Sequence, residues 1–151
     1  MRGMLSLVLV ALLATPVAAA DWQYEGGSVP IAYIDNGKAQ FQFACRGGDL
    51  AMGFWVRAPH KTVAGAGSMN LGITPDGAGT SFAQDMPLIH SDGSSVIVRG
   101  PVARQWARIA QQAKSALRVA YVRTGGEQFD ANEFDAKGSN AAIKRVLERC
   151  G

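Results

Sequence analysis

The sequence predicts an α+β domain: an antiparallel β-sheet, folded into a sandwich or partial barrel, covered by two helices, one of them C-terminal and disulfide-stapled. Three observations carry this expectation. Apolar residues recur with a period of two over the first two thirds of the chain. The dipeptides Asn36-Gly37, Gly47-Gly48 and Asp92-Gly93 fall between strand-like runs and supply the positive φ angles of tight hairpins rather than crossovers. After Pro101 the apolar spacing changes to that of amphipathic helices.

Residues 1–20, MRGMLSLVLVALLATPVAAA, have the build of a secretory signal peptide. Arg2 provides the charged start, residues 5–13 form an apolar run shorter than the roughly 18 residues a membrane span needs, and Ala18, Ala19 and Ala20 are small enough for cleavage. Residues 21–151 are then a single exported domain, periplasmic or secreted, with no stable membrane insertion. A chain of that size buries roughly two thirds of its unfolded surface.

In AQFQFAC, Phe41, Phe43 and Cys45 alternate with Gln40, Gln42 and Ala44, which marks a strand with one covered face. Leu50, Met52, Phe54 and Val56 form one face of the next strand, and Met69, Leu71 and Ile73 repeat the alternation before the turn TPDGAGT. Residues 95–99 read as a further strand. Pro101 suits a first helical turn, and Val102, Trp106, Ile109, Ala110 and Ala113 mark one stripe, so Trp106 is expected in the core. LRVAYVR returns to strand. FDANEFDAKG reads as a solvated loop before the last helix, which Ser139 caps and whose stripe is Ile143, Val146, Leu147 and Cys150.

The two cysteines both lie in the exported part. In an oxidising compartment such a pair reads first as a disulfide, with free thiols as the alternative, and it lacks the histidine spacing of a metal site. Cys45 shares its strand face with two phenylalanines and Cys150 lies on a helical stripe, so a bond between them would pin the last helix across an early strand. The net charge of +3 falls to about +2 without Arg2, too little excess to suggest nucleic acid. No repeat or low-complexity tract divides the chain.

Trp22, FQFAC, LRVAYVR and GSNAAIKRVLERC together resemble small periplasmic proteins of proteobacteria, including relatives of the invasion-associated locus B proteins. The likeness is strongest over the last thirty or so residues. It implies a secreted β-rich domain with a non-catalytic role and carries over no functional residue.

The search for chemistry starts with His60 and His90. His60 stands in APHKTV without an acidic neighbour, and LIHSDGSS around His90 describes a strand entering an Asp-Gly turn more simply than a catalytic triad. A Gly-x-Ser-x-Gly elbow, a phosphate-cradling loop and a twelve-residue calcium loop are all absent from the sequence. No catalytic residue, metal or cofactor is therefore assigned. Trp55 and Arg57 point away from the apolar face of their strand, with Arg46 and Lys61 nearby in sequence. If that face is open, these four residues form a contact surface for an anionic or sugar-like partner; if a helix or a second sheet covers it, Trp55 is core. The expected function is a non-enzymatic binding or interaction protein of the bacterial envelope, its partner a protein or an envelope component. The alternatives are a small envelope hydrolase assembled from distant residues, or an inhibitor of a cell-wall lytic enzyme.

Overall fold

A computed structural model describes residues 20–83 and 86–150, so the signal-peptide assignment lies, except for Ala20, outside the described residues. The elements follow in the order β1 (Gln23–Glu25), β2 (Ile31–Asp35), β3 (Ala39–Arg46), β4 (Asp49–Val56), α1 (Lys61–Ala64), β5 (Asn70–Pro75), β6 (Ser81–Phe82), β7 (Ser95–Arg99), α2 (Pro101–Gln112), β8 (Ala116–Val122), β9 (Gln128–Asp135) and α3 (Ser139–Arg149). They make two antiparallel sheets, one ordered β1-β2-β3-β4-β7 and the other β6-β5-β8-β9. The α+β expectation holds, with two sheets rather than one and three helices rather than two.

Local chemistry accounts for the hairpins. Gly47 and Gly48 join β3 to β4 as a two-residue loop between the paired Arg46 and Asp49, with φ of 58° and 84° at the two glycines. Positive φ at both central residues gives the turn whose twist matches that of paired strands. At the β2–β3 turn, the Asn36 side chain accepts hydrogen bonds from the amides of Lys38 and Ala39. Its amide nitrogen donates to Oδ1 of the buried Asn132 at 3.1 Å, tying that turn to the other sheet.

The core lies between the two sheets. Phe41, Phe43, Met52 and Phe54 from the first sheet meet Tyr121 and Phe134 from the second, with ring centroids 5.7 Å apart for Phe54–Tyr121 and 5.8 Å for Phe41–Phe134. Beside this seam, α2 packs on β4, β7 and β5, and α3 packs on β1, β2 and β3. The buried stripe of α2 is Ala103, Trp106, Ala107 and Ala110; Val102 and Ile109 sit at its edge. Trp106 is fully buried, as expected.

Three sequence expectations are corrected. Gly138 with its φ of 81° is the N-cap of α3, and Ser139 is the first helical residue, its buried hydroxyl donating to the Ala110 carbonyl at 2.8 Å and so joining α3 to α2. FDANEFDAKG is not a loop, because residues 128–135 pair with β8 over nearly their whole length. The short α1 begins at Lys61, a residue expected near the Trp55 face.

Cys45 and Cys150 are bonded, with Cα atoms 5.5 Å apart, and the bond holds the C-terminal end of α3 to β3. The other end of the chain is fixed nearby. Trp22 stacks on Phe43, its indole donates to the Asp135 carbonyl at 3.0 Å and its backbone amide to the Lys137 carbonyl at 3.1 Å. Arg145 of α3 lies over the Tyr24 ring at 3.8 Å, adding a cation–π contact across the same seam.

Candidate functional site

Because the helices and the second sheet all lie on one side of the five-stranded sheet, its opposite face is left open. Strand alternation places Ile31, Tyr33 and Asp35 of β2, Gln40, Gln42, Ala44 and Arg46 of β3, Ala51, Gly53 and Trp55 of β4, and Ile97 and Arg99 of β7 there. Pairing arranges them in rows across the strands: Asp35, Gln40, Trp55 and Ser95; then Tyr33, Gln42, Gly53 and Ile97; then Ile31, Ala44, Ala51 and Arg99. Small residues thus occupy the centre of two successive rows while larger ones stand around them.

Trp55 decides the shape of this face. Among the described residues no helix or sheet covers it, so the core alternative is set aside, yet it is only partly exposed. Its indole lies flat along β4 over Gly53, where a Cβ would collide with the ring. The glycine is the reason the ring folds down rather than standing out. Between Trp55 and the arginines runs a depression of about 320 Å³, floored by Ala44, Ala51 and Gly53, walled by Val29, Ile31 and Ile97, and reached by Arg46 and Arg99.

The two arginines share the end of the depression away from Trp55, Arg99 in the Ala51 row and Arg46 one row further. Among the described residues neither makes an ion pair, not even Arg46 with Asp49 across the strand. Of the other charges on this face, Asp49 stands exposed opposite Arg46 without an ion-pair partner among the described residues, whereas Glu25, Asp35 and Arg57 are engaged. Glu25 accepts the Tyr33 hydroxyl at 3.0 Å, and that hydrogen bond, with a smaller contribution from burial, raises the phenol above its ordinary range. Arg57 grips Asp35 with both guanidinium nitrogens, holding the carboxyl below the usual range despite partial burial.

Of the four residues singled out from sequence, the structure therefore brings Trp55 and Arg46 to the depression. Arg57 stands beyond Trp55 with Asp35 as its partner, and Lys61 is in α1. Sequence reasoning missed Arg99, Ile97 and Gln42. Alternation within residues 95–99 already put Ile97 and Arg99 on one face, but only the pairing of β7 with β4 sets that face beside Trp55.

Both histidines have local roles. His60 is the N-cap of α1, its Nδ1 accepting from the Thr62 amide at 3.1 Å. His90 pairs with Asp92 at 2.8 Å, both side chains well exposed, in the turn before β7. The Ser94 hydroxyl and amide both donate to Asp92, and these bonds, with a smaller one from His90, depress its carboxyl far below the usual range. Among the described residues two buried polar atoms, the Trp106 indole nitrogen and the Tyr121 hydroxyl, have no hydrogen-bond partner, and burial pushes the Tyr121 phenol well above its ordinary range. Neither belongs to the depression. Among the described residues no three histidine, cysteine or acidic side chains converge to hold a metal, and no helix is long and apolar enough to cross a membrane.

The residues lining the depression offer apolar contact, one amide and two guanidinium groups, and they include no histidine, carboxylate, hydroxyl or thiol. Such a lining can hold a ligand but supplies neither a nucleophile nor a general base. Comparisons with known protein families, characterised proteins and solved structures find no match to this chain.

Proposed function

We propose that this is a non-enzymatic, exported binding protein of the bacterial envelope whose recognition surface is the open face of the five-stranded sheet. The observation that carries the proposal is the apolar depression between a partly exposed tryptophan and two arginines without ion-pair partners. Tryptophan and arginine are the side chains most often found to dominate binding energy, and an apolar pocket with a few convergent polar groups is the usual form of a ligand site. The disulfide fits an oxidising compartment, and the resemblance of the C-terminal segment to periplasmic proteins points the same way.

The test is capture from a bacterial envelope extract by the immobilised wild-type protein and by Ala51→Gln, which places a long polar side chain on the floor of the depression. The wild type should retain a component that the variant loses, with both proteins melting within a few degrees of each other. Identical retention refutes the assignment of this face. The double variant His60→Ala with His90→Ala should retain the component as the wild type does; its loss there alone would move the function to the histidines.

A further inference from the structure

Resting on that assignment of the face, we propose that its ligand is a single-chain anionic amphiphile, a long-chain carboxylate whose hydrocarbon lies over Ala44, Ala51 and Gly53 against Trp55 while its head group is held by Arg46 and Arg99. Shape, backbone and charge each narrow the occupant to this class.

The depression is elongated. Trp55 and Ala51 are four residues apart on β4, about 14 Å at the rise of an antiparallel strand, and the Arg46–Asp49 pair extends this to about 20 Å. Across the strands, Ile31 on β2 and Ile97 on β7 flank the two strands that carry the small residues. With neighbouring strands about 4.8 Å apart, β2 and β7 lie about 14 Å apart, and the trough between the Ile31 and Ile97 side chains is wide enough for a hydrocarbon chain to lie along the strands.

The floor is made of β3 and β4, which are interior strands paired on both sides. Their backbone amides and carbonyls are used within the sheet and offer nothing upward. An extended peptide laid here would leave its own amides and carbonyls without partners on an apolar floor, which is costly, whereas peptide-binding sheets present an open edge. A glycan would meet the same deficit, since the Gln42 amide and the Trp55 indole N–H are the only neutral polar groups among the lining side chains. A hydrocarbon chain has no such groups to satisfy.

Charge then fixes the polar end. Arg46 and Arg99 are both exposed, both are without ion-pair partners among the described residues, and both stand at the end of the trough opposite Trp55, with Asp49 across the strand from Arg46. A carboxylate placed between them receives charge-assisted hydrogen bonds from two guanidinium groups.

Intrinsic fluorescence reads the site directly, because Trp22 and Trp106 are buried and Trp55 is the partly exposed tryptophan. Dodecanoate, titrated below its micellar concentration, should change the emission saturably at one equivalent, and the change should vanish in Trp55→Phe. Butyrate, which has the head without the chain, should produce no change, and dodecyltrimethylammonium, which has the chain with the opposite charge, should bind at least a hundredfold more weakly. Arg46→Gln and Arg99→Gln should each weaken dodecanoate about tenfold, with unchanged circular dichroism, and Ala51→Gln should abolish its binding. Equal affinity for the cationic amphiphile, undiminished affinity in both arginine variants, or preference for an apolar peptide ending in a free carboxylate would each overturn the proposal. If dodecanoate does not bind while capture from the extract still depends on Ala51, the ligand class is wrong and the binding face stands; if both fail, the face itself is wrong.

Discussion

Opening the Cys45–Cys150 bond should destabilise the domain without dissolving it. The cysteines are 105 positions apart, and the loop-closure expression applied to that span gives about 4.8 kcal/mol at 25 °C. A domain of this size unfolds with an entropy of roughly 0.27 kcal/mol per kelvin, so the loss corresponds to a fall in Tm of roughly 15–20 °C. The native fold should survive, since α3 is also held by the buried Ala142, Ile143 and Val146, by the Ser139 hydroxyl on α2, and by Arg145 over Tyr24. The assay is urea denaturation of the oxidised protein, the protein held reduced, and the double variant Cys45→Ala with Cys150→Ala. The reduced protein isolates the covalent link, and the variant adds the small cost of removing two buried sulfur atoms. Hydrogen exchange at the amides of residues 146–150 should accelerate far more than exchange in β3 and β4. A stability difference under about 1 kcal/mol would refute the chain-entropy argument, and complete unfolding on reduction would refute the independent docking of α3.

Trp106→Ala should cost roughly 3–5 kcal/mol, since it empties a fully buried site where α2 meets the core; a near-neutral thermal shift would show that the site is not packed as described. Asp76 accepts the backbone amides of Lys114, Ser115 and Ala116, which lock the turn after β5 to the start of β8 and hold its carboxyl far below the usual range. A depressed carboxyl stabilises fully above its unfolded pKa of about 3.9 and loses that contribution as pH falls through its folded value. The Tm advantage of the wild type over Asp76→Asn should therefore be constant from neutrality to about pH 4 and shrink below it; a gap independent of pH would contradict this. Gly53→Ala should leave stability within about 1 kcal/mol, because the colliding atoms are the far end of the Trp55 side chain, but it should lift the indole off the strand and shift its emission to longer wavelength. Unchanged emission would mean that the ring does not rest on Gly53.

Most of the sheet was legible because its signals are local. Phe41, Phe43 and Cys45 alternate within seven residues, and Gly47-Gly48 specifies its own turn. The disulfide was legible because both cysteines fall on apolar stripes. What escaped depends on pairing between distant segments. Residues 128–135 are rich in aspartate and asparagine, which disfavour strands in isolation, yet Phe134 pairs with Leu117 and Asn132 with Val119, and tertiary context overrides the preference. The candidate site divided in the same way. Trp55 and Arg46 were found because one hairpin carries both, and Lys61 was included because closeness in sequence stood in for closeness in space. Arg99 was missed because about forty residues separate the β4 and β7 positions that pair.

The acid-rich segment has a consequence for colloidal behaviour. β9 is eight residues long and forms an outer edge of its sheet, an edge partly capped where the Glu133 and Asp135 carbonyls accept from the Asn36 side-chain amide and the Trp22 indole. Along that edge lie Asp130, Glu133 and Asp135, and Asp130 sits at a φ of 48° beside a register break that bends the strand. The Asp130 carboxylate accepts the His60 amide at 3.0 Å, fixing the kink in place. Two such edges brought together would oppose like charges across a distorted ladder, which disfavours fibrillar association.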